Sequence, residues 1–201
     1  MIGDEGPAGG GCPATDSSGE GMSALAAFVR WGEAVNHRVG EWVKWLTLAT
    51  VLICATVVFI RYALQAGLIW LQDLYVWVHG AVFMLGAGYT FMANKHVRVD
   101  IYYARLHPTT QAWLDLGSTL VFLFPWIIVL GWYGWPYVAA SFELMEPSSQ
   151  VGGMPGLYIL KSVILIFCLL MGLQGLVIIA RSILRIAGRE ALLPPVPAPG
   201  S

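Results

Sequence analysis

The side chains with chemistry to offer are few and far apart in this chain. His79 stands alone inside a long apolar stretch, where an imidazole could serve as a haem axial ligand or as a hydrogen-bonding group between helices. A haem would need a second axial group or a partner chain, and His37, His96 and His107 all lie outside the apolar stretches. A buried, hydrogen-bonded histidine at a helix–helix contact is therefore the expected role, with Gln174 the other polar group placed for such a contact. In Lys95-His96-Val97-Arg98-Val99-Asp100, an extended backbone would put His96, Arg98 and Asp100 on one side. A metal would want histidine and aspartate without a cation between them, so an ion-paired loop that pins helix ends is expected, or else a docking site for a partner subunit. Glu143, Glu146, Pro147, Ser148, Ser149, Gly152, Gly153, Met154 and Pro155 form a turn-rich acidic stretch closed by Lys161, readable as a solvated loop or as a contact surface. Cys12, Cys54 and Cys168 make no CxxC pair, and the latter two read as small apolar packing residues. Serine, cysteine and carboxylate groups form no nucleophile or metal motif, so no catalytic residue, metal or cofactor is expected.

The elements that must carry these groups follow from charge. Only 11% of the 201 residues are charged and 57% are hydrophobic, against about a quarter charged in an ordinary soluble domain. Four runs, 45–60, 74–93, 116–142 and 162–180, contain no Asp, Glu, Lys or Arg. A bilayer core of about 30 Å takes roughly 20 apolar residues per helix, so four crossings fit, the first lengthened if Trp42 and a snorkelling Lys44 join it. Hydrocarbon offers no partner to a backbone amide, and the runs are apolar on every side rather than alternating, which selects helices over a barrel. The fold class is all-α: a polytopic membrane protein with four transmembrane helices. A formal net charge of -1 argues against a nucleic-acid partner.

Orientation follows from the eleven cations. Arg30, Arg38 and Lys44 precede the first run, Lys95, Arg98 and Arg105 lie between the second and third, and Arg181, Arg185 and Arg189 follow the fourth. Arg61 and Lys161 are alone on the other side. The positive-inside rule then puts both termini and the middle loop in the cytoplasm. Trp42, Trp45, Trp70, Trp113 and Trp135, with Tyr62, Tyr137 and Tyr158, fall near run ends as an interfacial belt and make membrane lipids partners.

Residues 1–22 are Gly-rich and acidic, without the basic start of a secretory signal, and read as a disordered cytoplasmic tail. Residues 23–41 show a helical period, with Leu25, Phe28, Val29, Val35 and Val39 on one side and Arg30, Glu33, His37 and Glu41 on the other. That predicts an amphipathic interfacial helix in the headgroup layer, the alternative being an extension of the first span. The membrane domain then covers 42–190, with spans at about 42–60, 74–93, 116–140 and 160–180, and the Pro-rich stretch 191–201 is a second tail.

A transporter sufficient in itself would carry buried carboxylates or broken helices around a central site. The runs hold no carboxylate, and Pro125 and Pro136 in the third are ordinary kinks.

Against this background several motifs stand in order: Arg61-Tyr62 at the end of the first span, Trp70, Asp73 and Leu74 opening the second, Leu85-Gly86-Ala87 within it, and His96-Val97-Arg98-Val99-Asp100 after it. Glu146-Pro147-Ser148-Ser149-Gln150-Val151-Gly152-Gly153-Met154-Pro155, Lys161 and Leu173-Gln174-Gly175-Leu176 follow. Over about 42–189 the chain resembles the small, DctQ-like membrane subunit of tripartite ATP-independent periplasmic (TRAP) transporters. The long loop is similar to the branch named for 2-oxo acids or mannitol/chloroaromatic compounds. Members often have Glu where Asp73 stands, a departure that keeps the charge. The resemblance implies a bacterial inner-membrane protein that partners a large DctM-like membrane subunit and a periplasmic substrate-binding protein, in sodium symport of organic acids. It implies a non-catalytic scaffold for an elevator-type large subunit. Trp70, Asp73, His79, Gly86, Ala87, His96, Arg98, Asp100, Ser148, Ser149, Gly152, Gly153, Lys161 and Gln174 are then the expected structural or subunit-contact residues. The rival readings are a cytochrome-like membrane subunit using His79 and a stand-alone four-helix transporter.

Overall fold

The computed structural model describes residues 17–92, 106–148 and 150–193. His96, Arg98, Asp100 and Ser149 lie outside the described residues, as does most of both expected tails. Four helices are long and apolar enough to cross a membrane. They are α1 (Ser17–Ala63), α2 (Ile69–Met92), a third crossing made of α3 (Pro108–Ser118), a π turn (Thr119–Leu123) and α4 (Phe124–Glu143), and finally α5 (Leu157–Ile186). Local chemistry explains the boundaries. Pro108 occupies the first turn of α3 after an extended His107, where its missing N–H is not needed. The π turn, in which the Phe124 amide donates to the Thr119 carbonyl, immediately precedes Pro125 and widens the helix where the pyrrolidine ring would crowd the preceding turn. Pro136 sits inside α4 without ending it.

The interfacial helix expected over 23–41 and the span expected from 42 are one uninterrupted helix that begins at Ser17, inside the stretch read as tail. At 47 residues it is about 70 Å long, twice the bilayer core. Nothing between Glu41 and Trp42 breaks a helix, and its early turns are held by other helices rather than by headgroups. The inward stripe is Ala26, Val29, Gly32, Asn36 and Gly40, all buried, while Leu25, Phe28, Val35 and Val39 are only half-buried at its edges. Val29 packs with Val177 and Ala180 of α5. Gly40 is a glycine for lack of room: a Cβ there would come within 2.3 Å of the Tyr89 ring of α2. Small residues let helix backbones approach where lipid supplies no hydrophobic drive to associate.

The hub is α5, which packs against α1, α2, α3 and α4, while α1 and α2 run along each other. The α5 helix is by far the most buried of the four crossings. Ile127, Phe167, Cys168 and Met171 form the centre of the α4–α5 contact, with Met84 and Ala87 of α2 packed on it. Cys54, by contrast, is exposed on α1 rather than packed. The starts of α1 and α3 and the ends of α2 and α5 share one end of the bundle, here the terminal end. The α1–α2 turn and the α4–α5 loop share the other, the loop end.

Candidate functional site

Polar side chains converge at both ends of the bundle. At the loop end, Asp73 opens α2 and is 7% exposed. Its Oδ2 accepts hydrogen bonds from Ser148 Oγ at 2.5 Å and from the Met154 amide at 3.2 Å. The α4–α5 loop therefore folds back onto α2. It narrows through an antiparallel bridge between Pro147 and Pro155, with the Ser148 amide donating to the Met154 carbonyl. Gly153 lies against the clamp so closely that a Cβ would sit 2.2 Å from Asp73 Oδ2 and 2.6 Å from Ser148 Oγ. Gly152 turns the chain at φ 83°, a left-handed conformation natural only to glycine. Val151 is left 95% exposed at the loop tip, and Trp70, in the first turn of α2, is 47% exposed.

A second anchor holds the base of the same loop. Glu146 Oε2 accepts from Lys161 Nζ at 2.5 Å and from Ser141 Oγ at 2.7 Å, so the end of α4, the loop and the start of α5 are bound together. Lys161 Nζ also stands 4.2 Å from the Tyr137 ring centroid, a cation–π contact. The bonds from Lys161, and then from Ser141, hold the Glu146 carboxyl below the usual carboxylate range. A depressed carboxylate contributes stability that is present above its unfolded pKa and lost as pH falls through the folded one. The loop is thus expected to stay closed above about pH 4.3 and to become protease-sensitive only at lower pH. Limited proteolysis across pH 3–7 checks this, and Glu146→Gln should be cleaved at every pH.

At the terminal end, Asn36 Nδ2 donates to Gln174 Oε1 at 2.8 Å, with the two residues 0% and 3% exposed. One turn nearer the start of α1, Arg181 Nη2 donates to Glu33 Oε1 at 2.6 Å. Beside them lies a cavity of about 40 Å³ lined by Glu33, Asp115, Gln174, Arg181, Ser182 and Arg185, room for two or three waters. Asn36, Glu33 and Arg181 are not among the site residues that the sequence suggests. The helical period puts Glu33 on the polar side of its helix, and the signal in the sequence is Gln174 itself, an amide inside an apolar run that needs a polar partner.

The other sequence candidates distribute as follows. Asp73, Ser148, Gly153 and Lys161 all belong to the loop-end anchors, and Gly152 to the turn beside them. Gly86 faces Val43 of α1, with an added Cβ 3.5 Å from that side chain, and Ala87 packs on the α4–α5 core. His79 is neither buried nor bonded: its side chain is exposed and no hydrogen bond reaches it from the described residues. The reason is geometric. Toward α5, α2 presents Gly80, which lies against Leu160; Gly88 lies between Asn36 of α1 and Leu170 of α5, and Gly86 and Tyr89 meet α1. His79 lies two turns before Gly86 along the same face, where neither α1 nor α5 covers it. Among the described residues no three of His, Cys, Asp and Glu come together as metal ligands would.

The arrangement is one of fastenings: polar bonds lock each end of an apolar bundle. No curated protein and no solved structure matches the chain. The family profile described as the DctQ component of tripartite ATP-independent periplasmic transporters does match, over residues 49–185, which takes in the loop-end anchors and all of α5 but Ile186. The chain belongs to this DctQ family, and is a membrane component of a tripartite transporter.

Proposed function

We propose that the chain is the small membrane subunit of a sodium-coupled, binding-protein-dependent transporter of organic acids, with 2-oxo acids among the substrates the long loop suggests. It acts as a non-catalytic scaffold that holds the large elevator-type subunit still in the inner membrane. The observation that carries the reading is the combination of fastened ends and open sides. Glu33–Arg181 and Asn36–Gln174 at one end, and Asp73–Ser148 and Glu146–Lys161 at the other, fix how the helices stand. Between them, α1, α2 and α4 expose apolar residues such as Val51, Phe83 and Val129. A moving transport domain needs such a frame, stiff along its length and with surface to give to a neighbour. The distribution of cations supports both termini in the cytoplasm, which puts the Asp73-clamped loop in the periplasm, where its exposed tip is available to the binding protein.

Reconstitution tests the reading. Proteoliposomes holding this chain alone should take up no organic acid, and sodium-driven uptake should need the large subunit and the binding protein as well. Uptake by this chain alone, or failure to co-purify with a large membrane subunit from its native source, would overturn it.

A further inference from the structure

His79 lies ten residues after Ile69 and thirteen before Met92, about 15 Å and 20 Å from the two ends of α2. Within the apolar run 74–93 this is about 8 Å inside the loop-end boundary at Leu74, and the imidazole is exposed there. Its face of the helix continues through Val76 and Phe83, one turn to either side, which are 50% and 71% exposed. A neutral imidazole carries one N–H donor and one acceptor nitrogen. Acyl chains satisfy neither, and an unpartnered polar group in hydrocarbon costs several kcal/mol. The side chain is too short to carry its ring about 8 Å to the boundary of that run. The α2 backbone is occupied by its own helical bonds, and neither α1 nor α5 covers the His79 side chain.

We propose that Val76, His79 and Phe83 form the seam onto which a transmembrane helix of the large membrane subunit packs, and that this helix brings a polar side chain to His79 within the hydrocarbon. The inference rests on the scaffold reading above and names the face that reading needs. The hydrogen-bonding demand of an imidazole in hydrocarbon argues for a protein occupant over lipid. At this depth only a helix can supply the partner without exposing its own backbone. The large subunit is chosen over a second copy because the family is a tripartite assembly of different components.

The test uses the full chain assembled with its large subunit. His79→Leu should leave the isolated chain's helicity and Tm unchanged, because the residue is exposed and unbonded, while weakening the complex roughly three- to fifteen-fold, the range of one interhelical hydrogen bond in a membrane. His79→Asn, which keeps a donor and an acceptor, should recover most of that loss. A photo-crosslinking residue at position 83 should yield an adduct with the large subunit, and one at Trp132, 77% exposed on α4, should not. If the wild-type complex forms but His79→Leu binds as tightly, the seam lies elsewhere and the scaffold reading survives. Adducts of two copies of this chain, or no protein adduct from position 83, would likewise overturn the seam. If the wild-type chain forms no complex at all, the scaffold reading fails and the seam with it.

Discussion

Replacing Arg181 by methionine is expected to cost about 3 kcal/mol of folding free energy, at the low end for a buried ion pair because both partners keep slight solvent contact. The Arg181 and Glu33 side chains are 13% and 12% exposed, so either one left alone is a charge with little water to solvate it. The direction of the double variant is the sharper test. Glu33→Leu with Arg181→Met removes both charges at once and should return to within about 1 kcal/mol of the parent, since an apolar pair can replace a buried ion pair at little cost. Equilibrium unfolding in mixed detergent micelles reads both. A double variant no better than the single would mean that Arg181 acts mainly through its other neighbours around the terminal-end cavity.

The second large effect is expected at the loop end. Gly153→Ala places a methyl group 2.2 Å from Asp73 Oδ2 and 2.6 Å from Ser148 Oγ, and these side-chain atoms can move aside only by giving up the hydrogen bond between them. The clamp must open, and Asp73 then loses both of its hydrogen bonds. Bonds to a charged acceptor contribute roughly 1.5–3 kcal/mol each, part of which returns as the carboxylate is rehydrated, so a net loss of about 2–3 kcal/mol is expected. Gly152→Ala is the control. That residue is left-handed but faces open space apart from Ile69 Cδ1 at 4.0 Å, so only the backbone penalty of about 1 kcal/mol applies. Thermal unfolding and cleavage of the loop by protease should rank the two substitutions in that order. Equal effects would mean that the loop's turn geometry, and not the Asp73 clamp, holds it.

The four crossings were legible because hydrocarbon excludes charge so strongly that gaps between charged residues mark the spans. What each helix turns inward was less legible, and α1 shows why. A hydrophobic-face reading assumes that apolar side chains point to the core, as in water. In a membrane both surroundings are apolar, so the buried stripe is set by size and by hydrogen bonding, which selects Gly32, Asn36 and Gly40 over Leu25 and Phe28. His79 illustrates the same difficulty: its depth in the bilayer could be read from the run around it, but its side depends on where α1 and α5 stand against α2. The loop-end site was partly legible. Asp73, Ser148, Gly153 and Lys161 are polar or small residues at places that invite a turn, yet the pairing of Asp73 with Ser148 spans 75 positions and exists only once α5 has brought the loop over α2.

The central place of α5 also bears on how the protein is made. It is the last of the four crossings to leave the ribosome, and every other crossing packs against it. From the end of α2 to the end of α5 a further 94 residues must be synthesised, which takes roughly 5–20 s at ordinary elongation rates. During that interval Asn36 and Glu33 have already emerged, while Gln174 and Arg181 do not yet exist. The early helices must therefore wait, half-assembled, for the segment that completes them. A chain released before residue 157 would retain the α1–α2 pair and both partners of the Asp73–Ser148 bond, but would lack Lys161, Gln174 and Arg181 and with them three of the four fastenings that give the subunit its shape.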